Sequence, residues 1–157
     1  MTILIAALLA AAPIPSELGP GWAEFSRSPS PSLTTTKVEV GTLGLDRERQ
    51  QLDFWLRRTV TSGAQQREEV DWADTRSCAA ARPLLASMRE IPVPRFAPIG
   101  SSDGPPMTLD GTLYALRTYS DHGVLTAETN VNTPVAEWVE AALSALEGCW
   151  GGRVPER

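Results

Sequence analysis

Lysine is almost missing from this chain: Lys37 is the only one, and every other basic side chain is arginine. The bias reads as a codon preference more readily than as a set of guanidinium forks for carboxylate or phosphate. Histidine is equally scarce, with His122 alone. Net charge is -5, which excludes a general binder of nucleic acid or anionic membrane, since either needs a basic face to displace counterions. No hydrophobic run reaches the roughly 20 residues that cross a bilayer as a helix. Only two cysteines are present, Cys78 and Cys149. Their spacing excludes a CxxC redox pair, and zinc needs more ligands than two cysteines and one distant histidine. "GTLGL" lacks the Lys-Ser/Thr of a phosphate-binding loop and the spacing of a dinucleotide fingerprint, so neither cofactor nor metal is expected.

What is present begins with an apolar run, Ile3 to Ala12, succeeded at once by proline. About ten apolar residues ending in alanines suit a signal peptide, so residues 1–12 are expected to direct export and then be removed. No cysteine stands where a lipid anchor would be attached. Residues 13–36, "PIPSELGPGWAEFSRSPSPSLTTT", are rich in Pro, Ser and Gly and read as a mobile linker, with Trp22 and Phe25 as stray aromatics. Residues 37–150 then form a single domain, and 151–157 are expected to fray. The whole length suits one domain.

Inside the domain, Val38 and Val40, then Leu43 and Leu45, suggest a strand bent at Gly41. Residues 46–57 fit a helix or a strand. The β-branched Thr59, Val60 and Thr61 favour strand for the second half, pairing through a hairpin with "REEVDW" around Val70 and Trp72. From Asp74 or Thr75 the period changes to that of a helix, with Cys78, Ala81, Leu85 and Met88 on one face. Pro83 demands a kink there, or a start of the regular part at that residue. Residues 92–107 are a Pro/Gly-rich loop and Asp110-Gly111 marks a turn. Thr112–Ser120 and Val124–Val131 are two strands joined through "DHG", with Leu125, Ala127, Thr129 and Val131 toward the core. Thr133 caps a final helix carrying Val135, Trp138, Ala142, Leu146 and Cys149 on one stripe, and Gly148 ends it. The expected fold class is α+β: an antiparallel sheet of about four to five strands in ββαββα order, both helices on one face.

Both cysteines thus lie on apolar helical faces whose ends meet if the helices pack antiparallel, and export supplies an oxidising compartment. A Cys78–Cys149 disulfide is expected. For catalysis the residues offer little. Ser120 and Asp121 flank His122 too closely to form a triad with it, and a remote serine such as Ser77 or Ser101 would have to be brought in. Asp71 and Asp74 are the one carboxylate pair worth weighing for acid–base work, as in a small hydrolase. "WADTR" places Trp72, Asp74 and Arg76 together as the first place to look for a ligand. Together these features describe a non-enzymatic, periplasmic or secreted binding module of the bacterial cell envelope. Its partner is a protein or envelope component, and its mature form has no membrane span. A small-ligand carrier, with its cavity between sheet and helices, is the further alternative.

Overall fold

In the computed structural model, residues 13–92, 111–120, 123–130 and 132–156 are described. The expected signal segment, most of the Pro/Gly-rich loop, Ser101, Asp110, Asp121, His122 and Val131 lie outside the described residues.

Six strands form one antiparallel sheet: β1 Gly21–Pro29, β2 Thr35–Asp46, β3 Gln51–Ser62, β4 Arg67–Asp74, β5 Thr112–Ser120 and β6 Gly123–Thr129. Their spatial order is β4-β3-β2-β1-β5-β6, so a four-stranded meander carries a hairpin on its β1 side. Two α-helices, α1 Ala81–Ser87 and α2 Pro134–Leu146, come after β4 and β6 respectively. The class is α+β, but the order is ββββαββα and the sheet is larger than expected.

The extra strand is β1, and it lies inside the segment read as linker. Proline and serine flank it on both sides, yet Ala23 and Phe25 alternate with Glu24 and Ser26. Phe25 is fully buried in the core. Alternation of that kind needs only a few residues to bury one face. Position adds the rest: from Ala23 to Arg27, β1 has β2 on one side and β5 on the other. The ambiguous segment 46–57 is strand from Gln51 onward, entered through a turn in which Asp46 Oδ1 accepts from Glu48 and Arg49 N–H.

The main core lies between the sheet and both helices. Phe25, Val38, Val40, Leu56, Ala73 and Leu116 come up from the strands to meet Ala81, Leu85, Val135, Val139, Ala142 and Leu146. Each such Val, Leu or Phe contributes about 1.5–3 kcal/mol by leaving water. Thr133 caps α2 by accepting from the Ala136 N–H, with Pro134 in the first turn. Trp138 stacks edge-on against Phe25 at 5.1 Å and donates its indole N–H to Ser87 Oγ of the α1 segment. Leu125 does not join this core: β6 runs past the helix, and the residue is exposed.

α1 is shorter than the apolar periodicity implies. Residues 75–80 form turns instead, and Pro83 falls in the first helical turn, where its missing N–H costs nothing. Thr75 there is tied to β3. It exchanges bonds with Phe54, and its hydroxyl donates to Asp53 Oδ1, which also receives Arg82 Nη2 at 2.6 Å. These bonds fix the start of α1 over the sheet.

A second, smaller core sits on the opposite face. Trp55 is wholly buried there with Leu18, Leu43 and Trp72. Trp55 and Trp72 meet edge to face at 6.0 Å, and the Trp55 indole N–H donates to the Gly19 carbonyl at 3.0 Å. The Trp55 ring lies flat across Gly41 on the neighbouring strand, so close that a Cβ there would overlap it. Residues 14–20 therefore act as a cover for this core.

Candidate functional site

Cys78 and Cys149 are disulfide-bonded, with Cα atoms 5.4 Å apart and a sequence separation of 71. Cys78 sits in the turn before α1 and Cys149 in the short 3-10 turn after α2. The bond therefore ties the entry of one helix to the exit of the other. Closing a loop of this length removes unfolded-chain entropy equivalent to about 4 kcal/mol in the chain-entropy account.

The tail after Cys149 does not fray as its composition suggests; it is docked on the domain. Trp150 stacks under the Arg58 guanidinium at 4.9 Å. Gly151 forms a two-bond antiparallel bridge with Trp72, at 2.7 and 2.9 Å. Arg76 Nη2 donates to the Glu156 carbonyl at 2.7 Å. The tail thus pairs the outer edge of β4 at Trp72, whose backbone groups would otherwise face solvent.

Trp72, Asp74 and Arg76 do lie together, along a groove of about 420 Å³ whose other wall is the tail, Gly151 to Glu156. Each is already engaged. Trp72 fills the smaller core, and Arg76 bridges Asp74 and the tail. Asp74 Oδ1 accepts from the N–H groups of Arg76 and Ser77, both at 2.8 Å. Burial pushes the Asp74 carboxyl up, but the Arg76 guanidinium and these two N–H donors outweigh it and hold it below the ordinary range. Asp71 and Asp74 do not face each other. Three residues apart on a strand, they point to opposite faces, and Asp71 is bound by Arg58 at 2.6 Å on the helix side.

The arrangement that sequence reasoning missed lies on the helix-free face. Register places Trp72, Arg57, Glu39, Glu24, Arg117 and Thr126 side by side in a row across all six strands. Arg57, almost fully buried, reaches Glu39 at 3.5 Å and lies against Trp72. Lys37 reaches the other oxygen of Glu39 at 3.4 Å. Glu24 and Arg117 are direct cross-strand neighbours of opposite charge, a pairing that ordinarily closes on itself. Here it does not. Arg117 lies over the Tyr119 ring at 5.4 Å and donates to its hydroxyl at 3.2 Å. The Glu24 carboxylate makes no hydrogen bond or ion pair among the described residues.

Between them is a dent of about 160 Å³, walled by Ile14, Glu24, Glu39, Arg117 and Tyr119, with Trp55 beneath. Its origin is local: Gly21, opposite Gly41 at an irregularity in the pairing of β1 and β2, supplies no side chain there, while the Trp55 ring fills the space over Gly41. A cross-strand pattern of this sort appears only once β1 is known to be a strand, because Glu24 and Arg117 are 93 positions apart in sequence.

Compared with known protein families, with curated proteins and with solved structures, the chain matches none. Its class is therefore given by its own architecture: a disulfide-stapled α+β domain with one six-stranded antiparallel sheet. Among the described residues no helix is long and apolar enough to cross a membrane.

Proposed function

We propose that this protein is a non-enzymatic binding module of the bacterial cell envelope, exported to the periplasm or beyond, and that it engages its partner through the helix-free face of the sheet. The observation that carries the reading is the Cys78–Cys149 bond, since such a cross-link persists in oxidising compartments. The signal-like start of the sequence supports the same address. The binding role is supported by the helix-free face itself, where Glu24 and Arg117 stand opposite each other over a dent without pairing. Asp71 and Asp74 are each committed to a neighbouring arginine, which favours structural roles for both over acid–base chemistry.

Fractionation of producing cells, followed by intact-mass measurement without reductant, tests this reading. The expected result is protein in the periplasmic or culture fraction, truncated at its N-terminus and two hydrogen atoms lighter than the fully reduced form. Full-length, fully reduced protein in the cytosol would refute it.

A further inference from the structure

The dent on the helix-free face has the chemistry of a ligand site of a definite kind. One wall ends in a carboxylate without a partner among the described residues, Glu24, and the facing wall in the Arg117 guanidinium, whose orientation is set by Tyr119. Glu39 cannot compete for a cation on equal terms, because Arg57 and Lys37 already share it. Beneath the dent lies the Trp55 ring, itself covered from solvent, and Ile14 closes one side.

We infer that this site binds a small α-amino acid as its zwitterion, the ammonium on Glu24 and the carboxylate on Arg117. The inference rests on the reading of the chain as a binding module and names the chemistry of its ligand. Three features select this class. A lone anion would meet Arg117 but also the Glu24 charge, and a lone cation would meet the reverse; only a ligand carrying both signs satisfies both walls. Primary ammonium suits Glu24 because a carboxylate accepts its N–H bonds, whereas the Tyr119 ring, the aromatic face a quaternary ammonium needs, is occupied by Arg117. A volume of about 160 Å³ takes the head group of an amino acid.

The test is titration of the oxidised full chain with L-alanine, monitored by NMR of the tryptophan indole N–H signals. Acetate and ethylamine, each carrying one of the two charges, serve as matched probes. The expected result is a saturable shift of the Trp55 indole signal with L-alanine, at least tenfold weaker with each of the other two. Glu24→Gln and Arg117→Gln should each weaken L-alanine binding at least tenfold while leaving the remaining indole signals in place. Because neither side chain is in a core, these variants are expected to fold. No saturable shift with L-alanine would overturn the inference, as would equal binding of acetate or ethylamine, or unaltered binding by both variants. Exported, oxidised protein that fails to bind L-alanine would sink this inference alone. Reduced cytosolic protein would sink the functional reading beneath it.

Discussion

The two edges of the sheet are finished in different ways. At β4 the chain returns to cover its own edge: Gly151 bridges Trp72, Arg76 holds the Glu156 carbonyl, and the disulfide secures the tail two residues before the bridge. At β6 the flanking side chains are left in solvent, with Val124 half exposed and Leu125 nearly so. The contrast arises from the placement of the helices and the smaller core. Where β3 and β4 adjoin at Trp55–Leu56 and Trp72–Ala73 they are buried on both faces, by the main core on one side and by the Trp55–Trp72 cluster on the other. β6 has cover from α2 on one face only. Burial is therefore deepest on the β1–β4 side, β5 joins it through Leu116 and α2, and β6 is the outlying strand.

The largest expected effect is at the smaller core. Trp55→Ala removes a fully buried ring from between Leu18, Leu43 and Trp72 and leaves the Gly19 carbonyl without its donor. A loss of about 3–5 kcal/mol in urea unfolding is expected. Next comes the staple: Cys78→Ser with Cys149→Ser should cost about 2–4 kcal/mol by the same measurement. At the β6 edge, Val124→Lys should change stability by no more than about 0.5 kcal/mol, read from the same unfolding curves. If it costs as much as Trp55→Ala, the two sides are not as unequal as the structure implies.

The acid limb of stability sharpens the comparison further. Because the Asp74 carboxyl is held below its ordinary value of 3.8 in the folded chain, its contribution is present above that pH. It is lost as pH falls through the lower, folded value. Asp74→Asn, which keeps the acceptor oxygen for the turn, should flatten the decline below about pH 4 and leave the curve near neutrality almost parallel to that of the parent. An identical slope in the two proteins in that acid range would contradict the role.

Much of the fold is legible in residue order alone, and what is not has a physical cause. The pattern of α2 is plain, since Thr133, Pro134 and an apolar stripe are local signals that burial against β5 only reinforces. The β3–β4 hairpin is equally legible from Thr59–Val60–Thr61 and the turn beyond them. The disulfide is implied by two helical ends and an oxidising address. β1 is hidden because its flanks carry turn residues, and five alternating positions weigh little until two neighbouring strands supply the pairing. Trp55 is hidden on the polar side of its strand because the sheet has a core on both faces, a fact no single strand reveals. The Glu24–Arg117 opposition depends on β1 and β5 being neighbours, which is tertiary information. The tail looks loose because glycine and arginine seldom build a core; its order comes from backbone bonds to Trp72 and from the sulfur two residues earlier.

The central claim is that a covalent staple keeps the C-terminal tail on the β4 edge, and amide hydrogen exchange tests it most directly. The oxidised protein is compared with the Cys78→Ser, Cys149→Ser double variant under conditions where both remain folded. The Gly151 and Trp72 amides, which bond across the bridge, should lose protection by at least tenfold, while those joining β5 to β6 change little. Unaltered protection at Gly151 and Trp72, or an equal loss throughout the sheet, would contradict the claim.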